Sequence, residues 1–263
     1  MLSSEIIIDF TTLQVVSIIF LATLIRSAFG FGEALIAVPL LAFCIPIGVA
    51  APLSVLVSIT IAGIVVVLDW NMIHFRSTGW LVFSTLFGIP LGLLLLTSSH
   101  QRFVKATLGV IIVAFSAYSL LVRIPPELRH DRPRWLFLSG FCAGVLGGAY
   151  GMNGPPLVIY GAMRRWSAQH FRATLQGYFL PASILGMAGY WVAGLWSPPV
   201  THYYLISLPV TLLAVVLGTA INRRLHARTF LNYLYLGLIG IGALLFLQAI
   251  TAPVHLGNPP GLP

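Results

Sequence analysis

The stretch RSAFGFGEALIAVP, Arg26 to Pro39, decides the fold. It lies inside a long apolar run, yet it holds an arginine, a glutamate and two glycines. A segment that only crosses a bilayer has no use for them. An ionisable side chain in the hydrocarbon costs about 2.5–3.5 kcal/mol on insertion scales, so it needs a partner or water. The pattern predicts a helix broken at the glycines, with Arg26 about one turn before the break.

The surrounding chain explains why such a break matters. Of 263 residues, 58% are hydrophobic and 8% charged, and the mean hydropathy is +0.96. Soluble domains carry about 25% charged residues, so a soluble protein is excluded. Apolar runs long enough to span recur along the whole length, and nothing resembles the short alternating strands of a membrane barrel. The fold class is an all-α polytopic membrane protein. The N-terminus, MLSSEIIIDF, is acidic and has no basic leader region, so it does not read as a cleaved signal peptide. Cys44 and Cys142 both stand in apolar context and read as helix-packing thiols. A net charge of +8 is what cytoplasmic loops of membrane proteins collect, so no nucleic-acid partner is implied.

The stretch has a counterpart. FGFG at Phe29–Gly32 resembles YGMN at Tyr150–Asn153, 121 residues on. The Leu-Gly pairs at Leu91 and Leu108 recur at Leu217 and Leu236, at offsets of 126 and 128. Order and near-constant spacing point to a duplication, with RRWSAQHFR (Arg164–Arg172) supplying a longer loop in the second copy. The apolar segments are 13–29, 33–46, 49–69, 79–97 and 106–122, then 136–150, 155–163, 173–194, 202–221 and 230–250. In each half the last three are full spans, and the first two are short segments separated by the glycine motif. The halves are therefore 1–122 and 135–263, joined by the cytoplasmic linker 123–134.

Charge decides how the halves are related, because Lys and Arg favour cytoplasmic loops. If 13–46 and 136–163 each crossed once, the halves would be parallel and eight basic residues would face five across the membrane. If each pair is a hairpin, the halves are inverted. Arg76, the arginines of 123–134, Arg164, Arg165, Arg172, Arg223, Arg224 and Arg228 then lie inside, against Arg102 and Lys105 outside: eleven to two. Inverted repeats give the better bias, whether the paired segments are re-entrant or cross fully. Labelling accessibility at residues 100 and 128 distinguishes the two arrangements.

The second motif, GGAYGMNGPPLVIYG (Gly147–Gly161), shows what the breaks offer. Segment 155–163 is too short to span at 1.5 Å per residue. A helix ending near Gly151 and restarting at Pro155 turns at membrane depth: glycine supplies the left-handed cap, Asn153 or Gly154 suits the N-cap, and proline suits the first helical position. The free N–H groups of such a helix start cannot face lipid. They line a cavity and offer partial positive charge to an anion, or the glycines serve close packing of helices. Such packing works equally within one chain or between two copies, so a homodimer is open.

Arg26 has three readings: a partner for a planar or tetrahedral oxyanion, a structural ion pair with Glu33, or an arginine snorkelling to the membrane interface. Glu33 itself is a candidate for carrying a coupling proton. Gln176 and Tyr178 follow Arg172 along one helix and are candidates for lining the cavity, while Asn71, Tyr190, Asn222 and Asn232 read as interhelical hydrogen-bond or interfacial residues. The seven histidines fall in loops or at helix ends without metal-binding spacing, so no cofactor is implied. No P-loop, G-x-S-x-G or paired membrane aspartates appear, which argues against a pump or an intramembrane enzyme.

FGFGEALIAVPLL, GGAYGMNGPPLVIY and HFRATLQGYF (His170–Phe179) together resemble the TauE/SafE family of sulfite exporters, over about residues 10–250. The resemblance implies a permease of the cytoplasmic membrane for sulfite, sulfonates or related anions. Glu33 and Ala34 depart from it, standing where further glycines are common. The expected substrate-binding residues are Arg26, Gly30, Gly32, Glu33, Gly151, Asn153, Gly154, Pro155 and Gln176. The halves would alternate access to them. A passive channel and a non-transporting subunit are the rival readings. An inside-negative potential drives anion export by about 2.3 kcal/mol per charge per 100 mV, and the sequence leaves ion coupling open.

Overall fold

A computed structural model gives the fold and describes residues 9–69, 75–98, 100–122, 126–128, 133–166, 168–222 and 227–251. Among the described residues there are ten α-helices. In the first half these are α1 (Phe10–Phe29), α2 (Glu33–Cys44), α3 (Ile47–Asp69), α4 (Phe75–Ser98) and α5 (Gln101–Leu121). The second half gives α6 (Pro133–Tyr150), α7 (Gly154–Met163), α8 (Ala168–Val192), α9 (Pro198–Asn222) and α10 (Ala227–Thr251). All ten apolar segments read from the sequence are helices, and both glycine motifs are breaks between them. The chain is an all-helical, multi-pass membrane protein.

Helix ends correct the reading in one respect. The first member of each pair is not short: α1 has 20 residues and α6 has 18. Their first turns, Phe10-Thr11-Thr12 and Pro133-Arg134-Trp135, are less apolar, and a helix continues past the point where hydropathy falls. Among the described residues, five helices are long and apolar enough to cross a bilayer: α1, most of α3 and α4, α5 and α9. The α8 segment is not among them because its inner face carries Thr174, Gln176, Tyr178 and Ser183, all buried. In contrast, Phe83, Phe87, Leu91 and Leu94 of α4 and Leu205, Leu212, Leu213 and Val216 of α9 are exposed.

Lipid offers no hydrophobic drive between helices, so association relies on close van der Waals packing and interhelical hydrogen bonds. The largest interfaces are α4 with α6, α5 with α10, α1 with α9 and α3 with α8. Glycines set the first of these: Gly88 lies against the backbone of Phe141 and Gly144, and Gly92 against that of Val145 and Gly148, so α4 and α6 run parallel. The partners α5 and α10 run the other way. Gly109 sits on Gly242, while Phe115 meets Tyr235 edge-on at 5.9 Å. Helices α3 and α8 are likewise antiparallel, with Gly48 beside Leu195 and Ser58 Oγ 3.2 Å from Ser183 Oγ. These glycine faces pack within one chain. Cys44 and Cys142 are free thiols.

Several residues that carried the sequence reading lie outside what is described: Asn71, Arg123, Arg129, Arg132, Arg223 and Arg224, and the side chains of Arg76, Arg172, Asn222, Arg228 and Asn232. The same holds for much of the linker and for His74, His130, His226 and His255.

Candidate functional site

Both breaks are built on left-handed glycines. At the end of α1, Gly30 adopts φ 86° and its N–H donates to the Arg26 carbonyl at 2.6 Å. Two residues on, Gly32 adopts φ 100° and starts α2. In the second half Gly151 has φ 67°, and its N–H donates to the Gly147 carbonyl at 2.8 Å. Asn153 stands at the N-cap of α7 but makes no side-chain capping bond, and its buried Oδ1 has no hydrogen-bond partner. The cap is positional, with helical φ and ψ of −81° and −13°.

Gly32 isolates the backbone contribution. A side chain there would meet nothing within 4 Å, so only its φ of 100° resists substitution. Gly32→Ala is expected to cost about 1–2 kcal/mol, the penalty for an L-residue in left-handed geometry. Thermal unfolding in detergent measures this, and an unchanged Tm contradicts the break as described.

The two breaks meet at one small cavity, lined by Arg26, Gly32, Glu33, Gly151, Asn153, Gly154 and Pro155 from the expected set. Its volume is about 20 Å³, room for about one water molecule. That is too small for a polyatomic oxyanion with the walls as they stand. The starts of α2 and α7 both border the cavity, but they are not equivalent. Pro155 and Pro156 have no N–H, which leaves Gly154 as the donor in the first residues of α7. The first turn of α2 keeps the N–H groups of Glu33, Ala34 and Leu35, all three on the cavity wall.

Arg26 is the centre of the site and is 3% exposed. One guanidinium nitrogen, Nη1, donates to Glu33 Oε2 at 3.1 Å and to Ser58 Oγ at 2.6 Å. The other, Nη2, donates to Gln176 Oε1 at 3.1 Å. The guanidinium carbon lies 4.8 Å from the centre of the Phe179 ring, a cation–π contact. Buried Nε has no hydrogen-bond partner. Glu33, 1% exposed, also accepts from Ser54 Oγ through Oε1 at 2.7 Å. Both charges suit their helix ends: Arg26 sits in the last turn of α1, where carbonyls are unsatisfied, and Glu33 in the first turn of α2.

Of the readings of Arg26, the ion pair with Glu33 is present, and Arg26 also borders the cavity. Gly30 and Gln176 do not line the cavity. Instead Gln176 clamps the first break, accepting from Arg26 and donating through Nε2 to the Gly30 carbonyl at 2.9 Å. The expectation for Tyr178 is corrected: its hydroxyl is 2.6 Å from Thr85 Oγ1, tying α8 to α4 away from the cavity. Tyr190 donates to the Gly147 carbonyl at 2.8 Å, the interhelical role read from the sequence. Ser54, Ser58, Phe115 and Phe179 were not singled out by the sequence. The two serines sit four apart in an otherwise apolar run, PLSVLVSIT, which places them on one face of α3. That spacing was the available signal.

Residues 15–245 match the sulfite exporter TauE/SafE family. The chain belongs to the TauE/SafE family. It is also 27% identical over 186 residues to a probable sulfite/organosulfonate exporter TauE of Cupriavidus necator, covering 70% of this chain and 71% of that relative. No solved structure matches. For this TauE/SafE protein, the matched span includes both breaks, the whole of α8 and the serine pair of α3.

Proposed function

We propose that this chain carries small sulfur-containing anions, sulfite or sulfonates, across the cytoplasmic membrane by alternating access. The observation that carries the reading is Arg26, a buried guanidinium on the wall of a cavity between two helix breaks. Its planar array of donors suits an oxyanion, and the N–H groups at the start of α2 add partial positive charge. The Cupriavidus relative is named for sulfite and organosulfonates and for export, which supports the substrate class and an outward direction.

The same proposal treats 1–122 and 135–263 as inverted repeats joined by 123–134. Two features support it. Exchanging each helix with the one five places on maps the main interfaces onto themselves: α1–α9 becomes α6–α4, while α3–α8 and α5–α10 are unchanged. The equivalent helices α3 and α8 run antiparallel, as do α5 and α10. Parallel repeats would give equivalent helices the same direction. With the native cysteines replaced, cysteines at exposed His100 and Glu127 are expected to label from opposite sides of the membrane. Labelling from one side contradicts the inversion.

Flux of radiolabelled sulfite into proteoliposomes tests the function. A transporter gives saturable flux and counterflow. Linear flux without counterflow would make the protein a channel, and no flux of sulfite or of any sulfonate would remove the transport reading.

A further inference from the structure

The cavity holds one more piece of chemistry, in the carboxylate that already occupies Arg26. We propose that an anion binds at Arg26 only when Glu33 takes up a proton, so that one proton crosses the membrane with each anion. This rests on the transport reading above.

In the structure, Glu33 is a tethered anion. Its Oε2 takes the guanidinium and its Oε1 takes the Ser54 hydroxyl, so the pair is electrically closed. The cavity of about 20 Å³ leaves no room for an oxyanion beside the pair. A substrate reaches Arg26 by displacing Glu33. If Glu33 stayed ionised, two negative charges would share one guanidinium in a buried site, where uncompensated charge is strongly unfavourable. Among the described residues no second cation relieves this. Around Glu33 stand Arg26 from α1, Ser54 and Ser58 from α3, Phe115 from α5, Asn153 ahead of α7 and Phe179 from α8. On α10, Tyr235 packs behind Phe115. Arg26 and Glu33 are the two charged members of this described group.

The surroundings suit both states. A serine hydroxyl donates to a carboxylate and accepts from a carboxylic acid, so Ser54 serves Glu33 before and after protonation. Arg26 does not depend on Glu33 for its position. Ser58, Gln176 and the Phe179 ring hold the guanidinium when the carboxyl lets go. The proton comes from the aqueous side to which the cavity opens. It leaves on the other side when the anion departs, Glu33 ionises and the ion pair closes again. For a monovalent anion the cycle moves no net charge. The anion and proton gradients then set its direction, and the membrane potential does not.

The test uses the purified full chain in proteoliposomes with methanesulfonate, an anion that does not titrate near neutral pH, and with sulfite for comparison. A pH gradient of one unit is expected to sustain about a tenfold methanesulfonate gradient at zero potential. A pH dye should record one proton entering per anion. Glu33→Gln keeps the shape and loses the proton: its methanesulfonate flux is expected to ignore the pH gradient and to respond to an imposed potential. If Glu33→Gln does not fold, the proton count on the native chain decides alone. Anion flux without proton movement overturns the coupling and leaves the transport reading intact; it would mean that the helix N-termini compensate the second charge. No flux of either anion removes both.

Discussion

Arg26→Gln is expected to reduce saturable anion flux by at least ~30-fold, because truncating one partner of a buried charged pair costs about 2–5 kcal/mol of binding. The same change acts on the fold. It leaves Glu33, 1% exposed, without its counter-ion, and breaking a buried pair from one side destabilises by about 3–5 kcal/mol. Lost flux alone is therefore ambiguous. The double variant Arg26→Gln, Glu33→Gln resolves it, since two neutral amides restore electrical balance, at the loss of two side-chain heavy atoms at position 26. The two introduced amides can hydrogen-bond to each other, to Ser54 and to Ser58. The double variant is expected to recover most of the thermal stability and none of the saturable flux. Recovery of both would make Arg26 a structural residue and leave the start of α2 as the anion site. The comparison needs only thermal unfolding in detergent and flux on the same preparations.

The reach of the sequence in this site follows from the kind of interaction involved. Helix breaks are local events, and Gly30, Gly32, Gly151 and Pro155 announce them in a few consecutive residues. Arg26 and Glu33 were legible because ionisable groups in apolar segments are costly and rare. Their contact was legible as one of three alternatives, since seven residues across a tight turn bring helix ends together. The role of Gln176 was not. It lies 150 residues from Arg26, and only the packing of α8 on α3 brings it to the first break. Phe179 reaches the guanidinium by the same packing and Ser58 by that of α3 on α1, which no local pattern encodes. The length of α1 and α6 was misread for a different reason. Hydropathy marks where a side chain prefers lipid, whereas a helix continues until its backbone is capped. The proposed inversion of the halves was read from basic residues in loops, a signal independent of any contact.

The second large effect concerns the interface that carries the second break. Gly144→Ala is expected to destabilise the protein by about 1–3 kcal/mol, the usual cost of forcing a methyl into a filled space, and Gly144→Val by more. A Cβ at Gly144 would run into the Thr85 carbonyl and sit 3.0 Å from the Gly88 Cα. Both obstacles are backbone, so no rotamer change relieves them and α4 must separate from α6. That separation also displaces Gly147, Gly151 and the cavity wall at the end of α6. Transport is therefore expected to fall together with stability, unlike the Arg26 double variant, where they part. The control is the same substitution at Gly63 or Gly186, where a Cβ meets nothing within 4 Å. There alanine replaces glycine inside α3 or α8 and should stabilise by up to about 1 kcal/mol through helix propensity alone. Opposite signs for one chemical change, read by thermal unfolding in detergent, would show that the glycines of α4 and α6 are there for the approach of two backbones. Equal effects at all three positions would mean that α4 and α6 do not pack as closely as described.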